Sequence, residues 1–91
     1  MAVVIRIPAP LRRLTEGQSQ VRAEVATVGE CISYLGETFP GLRERLCEED
    51  GSVRRFINIY VRGEDIRFSN GLETTLKDGD DVSIVPAASG G

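Results

Sequence analysis

The residues with the plainest chemical use are the last two, Gly90 and Gly91. A glycine pair gains no packing, and its backbone is the costliest to order. The pair closes a run of small residues, Pro86-Ala87-Ala88-Ser89-Gly90-Gly91, with no large apolar anchor. Such a run is expected to project into water as a mobile thread. Lacking Cβ atoms, the glycines give it its narrowest cross-section at the free α-carboxylate. A narrow enzyme channel could admit that thread and bring the carboxylate to a reactive centre. Taken alone, the pair has a competing reading, a frayed end or one left by cloning.

Little else in the chain could do chemistry. There is no histidine, which removes the usual general base and with it triad-type catalysis. Two isolated cysteines without histidine do not make a zinc-ligand set, so no metal is expected. Cys31 falls on an apolar helical face and reads as a buried small hydrophobe, whereas Cys47, beside an acidic run, reads as partly exposed. Lys77 is the single lysine against ten arginines, which leaves few amines for self-conjugation.

A formal net charge of -3 argues against a nucleic-acid partner, which usually demands a basic surface. No apolar run approaches the length of a membrane span, and Met1-Ala2-Val3-Val4-Ile5-Arg6 lacks a signal peptide's layout. A cytoplasmic protein with reduced thiols is expected rather than one with a Cys31–Cys47 disulfide.

The elements that must position the tail follow from periodicity. Val3, Ile5 and Ile7 alternate as a strand that Pro8 and Pro10 end. Leu11 to Gly17 is a basic connector with Leu11 and Leu14 tucked onto the core. Val21, Ala23 and Val25 then mark a second strand and complete a hairpin. Thr27-Val28-Gly29-Glu30 matches a capping box, and Val28, Cys31, Ile32, Leu35 and Phe39 form one apolar helical face that Pro40-Gly41 is expected to stop. Leu42 to Leu46 is expected to add a short second helical turn.

Arg55 to Arg62 is the strongest strand pattern, with Ile57, Ile59 and Val61 inward and Phe56, Asn58, Tyr60 and Arg62 outward. Gly63-Glu64-Asp65 reads as a turn, Ile66-Arg67-Phe68 as a short return strand, and Lys77-Asp78-Gly79-Asp80 as a tight turn into a last strand, Asp81 to Val85. Pro86 is expected to end that strand by withdrawing a donor.

Ninety-one residues support one modest core. The ββ-α-β-β-β order implies an α+β fold, a β-grasp (ubiquitin-like) roll: a mixed sheet of four to five strands with one main helix across one face. Residues 1–85 are expected to form the domain and 86–91 the flexible tail. In this arrangement the first and last strands pair in parallel at the sheet centre.

The stretches Arg55-Phe56-Ile57-Asn58-Ile59-Tyr60-Val61, Glu64-Asp65-Ile66-Arg67-Phe68, Gly71-Leu72, Asp78-Gly79-Asp80 and Ile84 to Gly91 resemble the MoaD/ThiS family of ubiquitin-like sulfur carriers. Within it they most resemble the CysO-type carriers of thiocarboxylate-dependent cysteine synthesis. The likeness covers nearly the whole chain and is strongest from Arg55 onward. Ser89 departs from the pattern, where a small apolar residue such as Ala is common.

The resemblance implies that an E1-like enzyme uses MgATP to adenylate the Gly91 carboxylate. A sulfur donor then displaces AMP and leaves a thiocarboxylate, a soft nucleophile next to Gly90. Its implied acceptor is an activated serine derivative on a pyridoxal-phosphate-dependent cysteine synthase, with a JAMM-type metalloprotease releasing the product. The chain itself would be a co-substrate that binds no cofactor, and Pro86, Ala87, Ala88 and Ser89 would present the terminus to these partners. The resemblance equally admits a molybdopterin synthase small subunit, a thiazole-synthesis carrier, or a protein modifier joined through Gly91.

Alternation places Phe56 and Tyr60 on the sheet face away from the helix, with Phe68 and Val85 expected beside them. These four are the candidate partner surface. Cross-strand packing is the competing explanation. Arg6, Arg62 and Arg67 would flank that surface or stand as ordinary solvated charge.

Overall fold

The computed structural model describes residues 2–87. Their order is β1 (Ala2–Arg6), a 3-10 helix (Ala9–Thr15), β2 (Gln20–Glu24), α1 (Val28–Thr38), α2 (Pro40–Leu46), β3 (Ile57–Val61), β4 (Glu64–Asp65), 3-10 turns at Ile66–Phe68 and Gly71–Glu73, and β5 (Asp81–Pro86). The strands form one mixed sheet in the order β2-β1-β5-β3-β4. The fold is the expected β-grasp roll.

Side-chain alternation decides the sheet's two faces. Ile5 stands opposite Val21 on β2 and Val82 on β5, and Ile84 opposite Ile59 on β3. All five are buried, together with Val3, Ala23, Ile57 and Val61. Against this apolar face α1 lays Val28, Cys31, Ile32 and Leu35, and α2 adds Leu42 and Leu46.

The capping box closes α1 as the sequence implies. Thr27 Oγ1 accepts the Glu30 N–H at 3.2 Å, and Glu30 reaches back to accept the Ala26 N–H at 2.8 Å.

Four local expectations are corrected. Pro40 does not stop the helical run: it occupies the first turn of α2, where its missing N–H has no intrahelical role, and the kink falls at Phe39. The connector after β1, by contrast, tucks Leu11 and Leu14 onto the core as expected, and does so as a 3-10 helix.

Glu64-Asp65 is strand rather than turn, and Ile66-Arg67-Phe68 is a 3-10 turn rather than a strand. The Asp65 carboxylate caps that turn by accepting the Arg67 N–H at 2.8 Å. The reversal between β3 and β4 instead uses Arg62 and Gly63, both at positive φ (53° and 81°).

Pro86 does not end the pairing either. It stands opposite Ile57, and the next residue, Ala87, still donates its N–H to the Phe56 carbonyl at 2.7 Å. Because alternate residues of a strand point their backbone groups to opposite sides, the proline's missing donor faces away from β3. No strand pairs with β5 there, since β1 pairs only as far as Ser83.

Candidate functional site

Between β1 and β3, β5 is the central strand of the sheet, and it leads directly into the tail. β1 runs parallel to it (Val4, Ile5 and Arg6 against Asp81, Val82 and Ser83), and β3 antiparallel from Ile57 to Val61. The backbone is thus held on at least one side from Asp81 through Ala87. Ala88, Ser89, Gly90 and Gly91, expected to carry the reacting terminus, lie outside the described residues.

Around the root of the tail the surface opens into a cleft of about 520 Å³. Pro10, Leu11, Phe56 and Ile57 give it an apolar floor that continues onto Pro86 and Ala87, and Glu44, Arg45 and Arg54 stand at its rim. Arg54 is fixed there: its guanidinium donates to the Glu44 carbonyl at 2.8 Å and to the Glu48 carboxylate at 3.0 Å. Arg45 is exposed on the last turn of α2.

The opposite end of β5 is built differently. The Ala2 N–H donates to the Asp78 carboxylate (2.9 Å), and the Gly79 N–H to the Ala2 carbonyl (2.8 Å). One oxygen of Asp80 accepts both the Lys77 N–H at 2.8 Å and the Arg62 guanidinium. Arg6 pairs with Asp81 at 3.3 Å. A loop of polar contacts therefore ties β1, the turn before β5 and the end of β3 together.

Both cysteines are free thiols, and both are buried. Cys47 is only 6% exposed, contrary to its expected partial exposure. It forms an isolated bridge with Val53 that closes the acidic loop beneath α2. Burial pushes the Cys31 thiol up to about 12, with Glu30 adding to the effect. Burial also raises the Cys47 thiol, against the opposing pull of Arg43 and Arg54. Neither supplies a ready thiolate.

The sequence profile of the ThiS family matches residues 5–91. The chain belongs to that family. It is 47% identical over 93 residues to the sulfur carrier protein CysO of Mycobacterium tuberculosis, and the match spans the full length of both. It is 35% identical over 94 residues, again end to end, to small archaeal modifier protein 3 of Haloferax volcanii. Among solved structures, a chain of the Amycolatopsis orientalis BexX/CysO complex superposes with a TM-score of 0.88 at 46% identity. That match covers 98% of this chain and 99% of the other.

In this ThiS-family chain the four expected partner-surface residues lie on three elements, β3 with the residue before it, β5 and the turn after β4. Tyr60 and Val85 share the outer sheet face as diagonal neighbours, opposite Ser83 and Asn58 respectively, with Tyr60 half-buried and Val85 41% exposed. Phe56, also 41% exposed, precedes β3 and lines the cleft at the tail root. Phe68, 81% exposed, sits on the 3-10 turn beyond the edge strand.

Nor are the flanking arginines free. Arg6 and Arg62 belong to the polar loop at the far end. Arg67 donates to Asn58 Oδ1 at 2.6 Å and to the carbonyls of Arg55 and Ile57, each at 3.0 Å.

The cleft was not anticipated from the sequence. Its signal was present in Pro10, Phe56 and Pro86, apolar residues that the alternating core pattern leaves without a partner.

Among the described residues no helix is long and apolar enough to cross a membrane.

Proposed function

We propose that this chain is a cytoplasmic sulfur carrier that acts as a co-substrate of partner enzymes, with Gly91 as its reacting residue. The Gly91 carboxylate attacks the α-phosphorus of MgATP on an E1-like enzyme, pyrophosphate leaves, and an acyl-adenylate forms. A sulfur donor attacks the acyl carbon, the bond to the phosphate oxygen breaks, AMP leaves, and a thiocarboxylate remains. Adenylation is needed because a carboxylate oxygen is itself a poor leaving group.

The sulfur then attacks an activated, serine-derived acceptor on a pyridoxal-phosphate-dependent cysteine synthase. An acyl shift to nitrogen follows, and a JAMM-type metalloprotease releases cysteine from Gly91. Gly90 keeps the terminus narrow, Ala88 and Ser89 supply reach, and Pro86 and Ala87 anchor that run to the sheet. The carrier's contribution is presentation of the acyl group.

One observation carries this reading: in a chain of the ThiS family, the central strand is held on to Ala87 and directed into the small-residue run that ends in Gly90-Gly91. The test is the intact mass of the protein incubated with its E1-like enzyme, ATP and a sulfide source. The expected result is the replacement of one oxygen by sulfur at Gly91, lost on deletion of Gly91. An unchanged mass, with the enzyme active on a known carrier, would sink the proposal.

The likeness to small archaeal modifier protein 3 favours one second reading, a modifier joined through Gly91 to lysines of targets. That reading predicts Gly91-dependent high-mass conjugates in lysate. A stable complex with a molybdopterin synthase large subunit would instead favour that pathway.

A further inference from the structure

The two edges of the sheet are finished differently. At one edge β4 is only two residues long, and Arg67 covers the backbone beyond it by donating to the carbonyls of Arg55 and Ile57, each at 3.0 Å. At the other edge stands β2, five residues long, and among the described residues no strand pairs with its outer side.

Hydrogen bonds fix which backbone groups of β2 face outward. The Val4 N–H donates to the Asp80 carbonyl at 3.0 Å, so Val4 turns its backbone to the β5 side. Alternation turns Val3 and Ile5 to β2, opposite Ala23 and Val21, and the Ile7 N–H continues the series onto the Ser19 carbonyl at 2.9 Å. The backbone groups of Gln20, Arg22 and Glu24 are therefore directed away from the sheet. Their side chains are exposed, on the face opposite buried Val21 and Ala23. The Arg22 guanidinium has no partner among the described residues.

An edge of this kind accepts another extended strand, and charge selects which one. A second copy related by a two-fold axis meets β2 antiparallel, in a register centred on Val21, Arg22 or Ala23. Centring on Arg22 sets one guanidinium against another, which is repulsive. Centring on Val21 sets Arg22 against Gln20, with no charge to meet it, and brings Glu24 to Gln18, whose N–H already goes to the Thr15 carbonyl at 3.0 Å. Centring on Ala23 sets Arg22 of each copy against Glu24 of the other. The ladder then ends of itself, because the next outward position, Ala26, gives its N–H to Glu30 and its carbonyl to the Leu76 N–H, each at 2.8 Å.

We propose that the outer edge of β2 is a homodimerisation surface, paired antiparallel about Ala23 with Arg22 of each copy opposite Glu24 of the other. The two five-stranded sheets join into one. Because Arg67 closes the β4 edge, association stops at two copies instead of running on as a chain. β5 lies two strands in from the seam, so pairing leaves its outgoing end uncovered in both copies. The seam is short, and the dimer is accordingly weak and reversible.

The test is sedimentation in low-salt buffer as protein concentration is raised, with circular dichroism as the check on fold. It needs no activating enzyme, so its outcome is independent of the carrier reading. The natural sequence should pass from monomer to dimer and no further. Arg22→Glu and Glu24→Arg each turn both cross-strand pairs from attraction to repulsion, and each should lower the association constant about tenfold or more. Arg22→Glu combined with Glu24→Arg restores opposite signs in the same register, and its association constant should return to within about threefold of the original. A protein monomeric throughout, species beyond the dimer, single swaps that leave the dimer unchanged, or a double swap as weak as the singles would each overturn the proposal.

Discussion

The two ends of β5 are made of different materials. At its start, Asp78, Asp80 and Asp81 gather backbone N–H groups and two arginines into a network that links three segments far apart in sequence. At its finish, the pairing narrows to the bond from Ala87 to Phe56 over an apolar cleft. The comparison teaches where a presenting domain needs order. The far pole fixes the strand in register, and the near pole leaves open surface beside the start of the tail.

That contrast assumes one shared core beneath both poles, and the largest predicted effect tests it. Leu46 is fully buried on α2 and belongs to the single core cluster. Leu46→Ala should cost about 2–5 kcal/mol. Denaturant unfolding should stay a single transition by fluorescence and circular dichroism, and two separated transitions would break the assumption.

Next in size is a pH effect at Cys31. Its folded-state thiol is raised to about 12, while the unfolded thiol titrates near 9. The neutral form is therefore favoured by folding, and the associated stability is complete below the unfolded value. It is lost as pH rises through the window between the two, at a limiting slope of about 1.4 kcal/mol per pH unit. Urea midpoints measured across that alkaline window should fall steeply in the natural sequence and less so in Cys31→Ala.

Smaller still is Asp80→Ala, which strands the Arg62 guanidinium and the Lys77 N–H. A loss of about 1–3 kcal/mol is expected by chemical denaturation. Arg45→Ala at the opposite pole should change stability by no more than about 0.5 kcal/mol. Equal losses at Asp80 and Arg45 would erase the distinction between the poles.

Much of this architecture was readable in the chain itself, and the misreadings share a cause. Strict alternation in Val3-Val4-Ile5-Arg6-Ile7 and in Ile57 to Val61 identifies core strands because one sheet face is wholly covered, and Thr27 with Glu30 marks a helix start by chemistry alone. The errors fall at Pro40, Ile66 to Phe68 and Pro86, where a residue's local tendency depends on which side of the backbone a neighbour occupies. Proline breaks pairing only if its absent N–H faces a partner, and at Pro86 it does not. Ile66 and Phe68 share strand-like spacing, yet the Asp65 carboxylate offers the Arg67 N–H a nearer acceptor than another strand could. Of the candidate site, the cleft was not visible from composition. Pro10, Phe56 and Pro86 are brought together by sheet pairing across the length of the chain.

Arg67 has a consequence for life at high concentration. The edge strand β4 has only two residues, so the carbonyls of Arg55 and Ile57 would otherwise face outward as a template for a strand from another molecule. The guanidinium of Arg67 occupies both acceptors and plants a positive charge at the edge. The domain is thereby denied the simplest wrong partner, its own copy stacking edge to edge toward a fibre.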